Sequence, residues 1–189
     1  MRIDLTIGKP TCFIPARGWS KRVKDKNKRM LCGKPLLLWT VEPAVESDLF
    51  DKVIVSSDDE EILEIAYSAG ATPHWEKGFE GKYPLRDVVK YLIDIYKPLQ
   101  VFCMLQPTSP QRGLKEIREA YRRFDNSYCN YLYTGGPKDN GAILFASVEA
   151  FMKELPESCI GEKSEVMYLN VVDIDTERDF RRAECIMCS

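Results

Sequence analysis

The chain has 189 residues, 44% hydrophobic and 30% charged, a length and balance that suit one globular domain spanning residues 1–189 with a sizeable core. The formal net charge of −2 gives no global attraction to nucleic acid or acidic membranes. No stretch approaches the roughly 18 apolar residues of a membrane span, and the N-terminus lacks the apolar core of a signal peptide, so neither partner class is expected.

The first ten residues end in Gly8-Lys9-Pro10. With Thr11 this is not a P-loop, because the earlier glycine is absent and proline follows the lysine. Residues 11 to 16 read as a buried strand. It opens into a loop, residues 17 to 34, with six Lys or Arg between Arg17 and Lys28. A buried strand that empties into a cationic loop can present N–H groups and cations to a phosphate. Alone, such a run reads more readily as a solvated basic face. On a slightly acidic body it suits a small anion better than a long polyanion.

Pro35 to Ser47 has a helical apolar pattern, with Pro35 suited to the first turn and Pro43 predicting a kink or early stop. Residues 52 to 56 form a second strand, and Ser56-Ser57-Asp58-Asp59 then starts a helix with Glu60 and Glu61 in its first turn and Gly70 at its end. Thr72 to Trp75 is a short strand, 76 to 83 a loop, and Val88, Val89, Leu92, Ile93 and Ile95 mark a helix. Leu99 to Leu105 is the most apolar strand and is expected at the sheet centre. It ends in Gln106-Pro107-Thr108-Ser109-Pro110, before a helix from Gly113 to Phe124. Tyr128–Tyr133 and Ala142–Phe145 read as strands joined by a turn-rich loop, Val148–Leu155 as a helix, 156–165 as polar loop, Met167–Val172 as a last strand and Glu177–Cys185 as a last helix.

This alternation predicts a three-layer α/β fold, Rossmann-like, with a mostly parallel sheet. Ligands of such folds bind beyond the carboxyl ends of the strands. The basic loop, Ser56-Ser57-Asp58-Asp59, the segment from Gln106, and Asp173-Ile174-Asp175 all follow strands and should meet at one edge. Asp173 and Asp175 share a side in an extended segment and suit a magnesium ion held between protein and phosphates. Taken alone, the pair reads first as a helix N-cap by Asp175, and both roles are compatible, with Asp175 capping and Asp173 binding metal. Gln106 could read a base or sugar with donor and acceptor, or fix the Pro-rich turn; Asn27 poses the same choice in the basic loop. His74 reads as structural. The seven cysteines read as reduced thiols of a cytoplasmic chain. Cys185 and Cys188 suit a frayed end better than a zinc site, since no second pair accompanies them.

The ordered set Ile14-Pro15-Ala16-Arg17, Ser20-Lys21, Lys26-Asn27, Gly33-Lys34-Pro35-Leu36, Val53 to Ile62, Leu105 to Pro110, Asn140-Gly141-Ala142-Ile143 and Asp173-Ile174-Asp175-Thr176 resembles the N-acylneuraminate cytidylyltransferase (CMP-sialic acid synthetase) family. The resemblance implies a nucleotidyltransferase, a transferase joining CTP to a 2-keto-3-deoxy sugar acid, with magnesium and release of pyrophosphate. It implies nucleotide contacts from Ala16, Arg17, Gly18, Ser20, Lys26, Asn27 and Ser57. Arg17 and Lys21 would stabilise the leaving pyrophosphate, Gln106 would contact substrate, and Asp173 and Asp175 would hold the metal. Three departures stand out. Only Gly135 to Asp139 remains of a long insertion that builds the family's dimer contact and part of its sugar pocket. Trp75-Glu76-Lys77 replaces an arginine. Trp19 and Arg22 replace small residues, with Trp19 placed to narrow the phosphate site or stack on the base. The alternative is a non-catalytic or altered-specificity nucleotide-binding relative. Oligomeric state stays open.

Overall fold

Apolar side chains that alternate along the strands bury both faces of one sheet under helices. The computed structural model describes residues 8–76, 83–135, 139–153 and 164–188. In chain order the elements are β1 (Thr11–Pro15), β2 (Met30–Leu31), β3 (Lys34–Pro35), α1 (Leu38–Glu46), β4 (Lys52–Ser57), α2 (Glu60–Ser68), β5 (Thr72–Trp75), α3 (Leu85–Tyr96), β6 (Val101–Leu105), α4 (Leu114–Asn126), β7 (Tyr131–Gly135), β8 (Asp139–Ser147), α5 (Val148–Met152), β9 (Ser164–Tyr168) and α6 (Glu177–Met187). Most of the expected loops at 76–83, 135–141 and 156–165 lie outside the described residues.

The main sheet runs β5-β4-β1-β6-β8-β7-β9. β8 is antiparallel to β6 and β7, and the other pairings are parallel. Six strands therefore end at one edge, where β8 begins. β6 is central, as its uninterrupted apolar run predicts. Cys12 and Ile14 of β1, and Val101, Cys103 and Leu105 of β6, join the core that contains Val41, Ile62, Ile117 and Phe124 of α1, α2 and α4. The intervening Phe13, Phe102 and Met104 join Val88, Val89, Leu92 and Phe151 of α3 and α5 on the other face. A third cluster, with Val23, Leu31, Leu36, Ile174, Phe180 and Ala183, packs the basic loop against α6.

Four expectations are corrected. Pro35 lies in β3, paired with Met30, and α1 begins at Leu38. Cys32 and Gly33 both have positive φ (48° and 86°), as the type I′ turn of a two-residue hairpin requires. Of the kink or early stop expected at Pro43, the stop does not occur, since α1 runs on to Glu46. The last strand ends at Tyr168 rather than Val172, because the backbone beyond it bonds elsewhere: the Leu169 carbonyl accepts from Asn140 Nδ2 (2.9 Å), Val172 N donates to Gln111 Oε1 (2.7 Å), and Ile174 N donates to the Thr108 carbonyl (2.8 Å). The cysteines are not all free thiols. Cys32 and Cys188 form a disulfide (Cα–Cα 5.3 Å), and α6 continues to Met187 instead of fraying at Cys185. Cys12, Cys103 and Cys129 are buried free thiols, and Cys185 is an exposed one. Among the described residues no helix is long and apolar enough to cross a membrane.

Candidate active site

A cleft of about 300 Å³ opens at the edge where the parallel strands end. The loop after β1 contributes Arg17, Ser20, Lys26 and Asn27; the turn after β6 contributes Gln106 and Thr108; the segment before α6 contributes Asp173 and Asp175. Glu76, after β5, and Tyr83, Leu85 and Val88, at the start of α3, complete the wall. A second groove of about 370 Å³ shares Arg17, Ser20 and Lys26 with the first and adds Trp19, Lys21 and Arg22.

The cations of the loop divide by partner. Lys28 pairs with Asp59 and Glu61, both at 2.9 Å, and the Glu61 and Asp59 hydrogen bonds hold its ammonium well above the usual lysine range. Arg29 grips Glu177 through both carboxylate oxygens at 2.7 Å and lies 3.9 Å over the Phe180 ring. These two fasten the loop to α2 and α6. Lys26 is buried and donates to the Ile174 carbonyl at 2.7 Å, with Asp175 3.8 Å away. Burial lowers its pKa, opposed by Asp175 and Asp173. Arg17 is exposed, and its guanidinium has no partner among the described residues. Lys21 lies 5.2 Å over the Trp19 ring, and Trp19 is 55% exposed, so neither lines the first cleft.

Of the two roles weighed for Asn27, the structural one is present. Its Nδ2 donates to the Arg17 carbonyl (2.9 Å) and its carbonyl accepts from Leu37 N (3.0 Å), which fixes the loop. Its Oδ1 is buried without a hydrogen-bond partner. A buried acceptor is costly unless something donates to it, so this oxygen is suited to a donor on a ligand.

The acidic pair stands opposite. Thr176, not Asp175, caps α6: its hydroxyl accepts from Asp179 N (3.3 Å), while Asp179 Oδ2 accepts from Thr176 N (2.8 Å). That leaves the Asp175 carboxylate for Arg22, at 2.8 Å. The Asp173 carboxyl is pushed up by partial burial in the cleft wall and by Asp175, against Lys26 and the nearby Thr108 hydroxyl. That hydroxyl is buried without a partner of hydrogen-bond geometry. Among the described residues no group of three His, Cys, Asp or Glu could hold a metal. Two carboxylates beside a hydroxyl still form an oxygen donor set of the kind magnesium takes together with phosphate oxygens and water.

Gln106 reaches the cleft from the end of β6. A Cβ on Gly141 would lie 2.2 Å from Gln106 Nε2, so β8 leaves space there for the amide. The turn beneath is held by Arg112, which sequence reading missed. It is fully buried and donates to the Gln106 carbonyl (3.1 Å) and Thr40 Oγ1 (2.7 Å). Burial pulls its guanidinium down to about 10, so it stays charged at neutral pH.

Three residues expected at the nucleotide do not line the cleft. Ala16 is buried and its N–H is taken by the Ser56 carbonyl (2.8 Å). The Gly18 N–H donates to Asp58 Oδ1 (2.6 Å), and a Cβ there would lie 2.5 Å from Asp59 Cβ. Ser57 is fully buried and its hydroxyl accepts from Asp59 N (3.1 Å). All three serve the junction of β1, β4 and α2, because short strand-end residues satisfy backbone groups locally. His74 packs against Tyr91 and Tyr96, its Nδ1 3.1 Å from the Tyr96 hydroxyl. Glu76, Tyr83, Leu85 and Val88 join the cleft through tertiary packing alone.

Fold and cleft together define a nucleotidyltransferase-like α/β protein. CMP:2-keto-3-deoxy-manno-octonic acid synthetase complexed with CTP superposes with a TM-score of 0.76 over 95% of this chain and 98% of that one, at 13% identity. A cytidylyltransferase from Leptospira borgpetersenii serovar Hardjo-bovis (strain JB197) gives 0.73 over 93% and 85%, at 16% identity. Residues 11–128 match the family model described as Cytidylyltransferase, and the chain belongs to that family. It is 40% identical over 136 residues to an N-acylneuraminate cytidylyltransferase of Escherichia coli O18:K1:H7 (strain RS218 / NMEC), a match covering 69% of this chain and 32% of that protein. It is 36% identical over 132 residues to a pseudaminic acid cytidylyltransferase of Campylobacter jejuni subsp. jejuni serotype O:2 (strain ATCC 700819 / NCTC 11168), covering 66% and 57%. The chain thus spans about a third to somewhat over half the length of these relatives.

Proposed function

We propose that the chain transfers CMP from CTP to a 2-keto-3-deoxy sugar acid of the N-acylneuraminate kind and releases pyrophosphate. The observation that carries this reading is the meeting of Arg17, Lys26, Asn27, Gln106, Asp173 and Asp175 in one cleft at the sheet edge. The anomeric hydroxyl attacks the α-phosphorus, the new O–P bond forms, the bond to the β-phosphate oxygen breaks, and the hydroxyl proton is lost to solvent. Such catalysis is mainly positioning and charge neutralisation. Arg17 and Lys26, with Lys21 beyond them in the second groove, place cations along the path of the triphosphate. Gln106 orients the sugar or nucleotide. Asp173 and Asp175 would hold magnesium, which when bound supplies further neutralisation of the phosphates. Arg22 would then exchange its bond to Asp175 for a phosphate oxygen.

The test is pyrophosphate release from CTP and magnesium across a panel of 2-keto-3-deoxy acids. Turnover with at least one acid is expected. The second reading, a nucleotide-binding relative without an acceptor, rests on the sequence between Gly135 and Asp139, which stands where the family carries an insertion that builds part of its sugar pocket. CTP binding with no turnover on any acid would replace the first reading with the second.

A further inference from the structure

Glu76 is an acidic residue of the cleft wall that stands apart in sequence from the Asp173 and Asp175 pair. It is only 7% exposed, yet it lines the cleft. Its place is built: its N–H donates to the Ser57 carbonyl (2.9 Å), and the Ser56 hydroxyl donates to Oε1. Among the described residues the second carboxyl oxygen has no partner. A carboxylate held this way repels phosphate, and the row of cations runs on from this cleft into the neighbouring groove. Arg17, Ser20 and Lys26 lead into the second groove with Lys21 and Arg22, whereas Glu76 belongs to the first cleft alone, with Tyr83, Leu85 and Val88. One phenol ring, two aliphatic side chains and one oriented acceptor suit a flat heterocycle with an amine on its edge. A ribose diol would call for both carboxylate oxygens, and Ser56 already occupies one.

On the reading of this cleft as a CTP site, we propose that Glu76 selects cytosine over uracil. Its second carboxyl oxygen accepts a hydrogen bond from the exocyclic 4-amine of cytosine. Uracil presents a carbonyl at the same position, so two acceptors would face each other and the buried carboxyl would go unpaired. A site built to receive an N–H rejects an isostere that lacks it more strongly than apolar packing can. Ser56 is a positioning residue that fixes which oxygen faces the base.

The experiment is calorimetric binding of CTP, UTP and 2′-deoxy-CTP, with magnesium, to the wild type and to Glu76→Gln, Glu76→Ala and Ser56→Ala. The wild type is expected to prefer CTP over UTP by roughly 10- to 100-fold, the range of one hydrogen bond to a charged group. Glu76→Gln keeps the shape and can turn either a donor or an acceptor to the base, so its CTP-to-UTP ratio should collapse toward one. Glu76→Ala should lose CTP affinity and leave UTP affinity nearly unchanged, and Ser56→Ala should lose part of the ratio. Melting curves establish that each variant is folded, and the isosteric glutamine carries the test if the alanine variant does not fold. An unchanged CTP-to-UTP ratio in Glu76→Gln overturns the assignment while leaving the CTP site standing. So does a change confined to the CTP-to-deoxy-CTP ratio, which would move the contact to the ribose. Failure of the wild type to bind either pyrimidine nucleotide overturns the functional reading and this inference with it.

Discussion

Arg17 and Glu76 lie in the same cleft with opposite relations to the fold. Arg17 is exposed and its side chain is unpartnered among the described residues, so the fold does not depend on it. Arg17→Ala should change stability by no more than about 0.5 kcal/mol, as for other exposed positions, while weakening CTP binding by roughly tenfold or more, the loss of a charged hydrogen bond. Parallel melts and calorimetry check this, and a large loss of stability would assign Arg17 to the scaffold. Glu76 is the reverse. Burial raises its carboxyl pKa, with Asp58 adding and the Ser56 hydroxyl opposing. The folded state therefore keeps this proton to higher pH than the unfolded chain. The associated stability is fully present below the unfolded pKa and is lost as pH rises through the folded one. Glu76→Gln, which cannot ionise, should melt above the wild type near about pH 7, with the gap closing as pH falls to about 3, below the ordinary glutamate range. A gap independent of pH would show that ionisation of Glu76 is not what separates the two proteins.

At the scale of elements, the acidic pair is shaped by the helix that follows it. Thr176 and Asp179 close a capping box at the start of α6, and Ile174 is pinned between the Thr108 carbonyl and Lys26 Nζ. Cap and pin together set the path of residues 173 to 175. Thr176→Ala should cost about 1 kcal/mol of stability, the usual value of a lost N-cap. It should also weaken magnesium-dependent CTP binding beyond any effect on magnesium-free binding, because the carboxylates lose their fixed spacing. Titrations with and without magnesium separate the two effects; equal weakening in both would mean that α6 supports the cleft generally rather than the acidic pair. The basic loop is likewise an element more than a charge run. Val23, Leu31 and Leu36 anchor it to Phe180 and Ala183, and Lys28 and Arg29 are committed to ion pairs.

At the scale of the molecule, the Cys32–Cys188 disulfide joins the β2–β3 hairpin to the end of α6 across 156 residues of sequence. A bridge that closes so long a loop restricts the unfolded chain strongly, and its reduction should lower stability by about 2–4 kcal/mol. Denaturant melts with and without reductant test this, with Cys188→Ser as the control that should not respond to reductant. Since the bridged elements carry the basic loop and follow the acidic pair, reduction should also weaken CTP binding. Unchanged stability on reduction would mean that the packing of Phe180 and Ala183 holds α6 without the bridge.

Local chemistry decided much of this protein. The period-2 strands, the central position of β6, the Asp59 cap of α2 and the meeting of strand-end segments at one edge follow from apolar alternation, capping and turn preferences that act over a few residues. Arg17, Lys26, Asn27, Gln106, Asp173 and Asp175 lie in the connections beyond β1 and β6 and before α6, and it is the family resemblance that singles them out within those connections. What only tertiary structure decided depends on groups far apart in the chain. Gly18 and Ser57 had the right residue types for a phosphate but satisfy one another's neighbourhood at the β1–β4 junction. The final strand stopped early because Gln111 and Thr108 took its backbone bonds. Cys32 meets Cys188 because α6 packs near the hairpin, and Glu76 shares the cleft with residues at the start of α3. Hydrogen-bond and disulfide partners are chosen by distance in space, and no spacing along the chain encodes them.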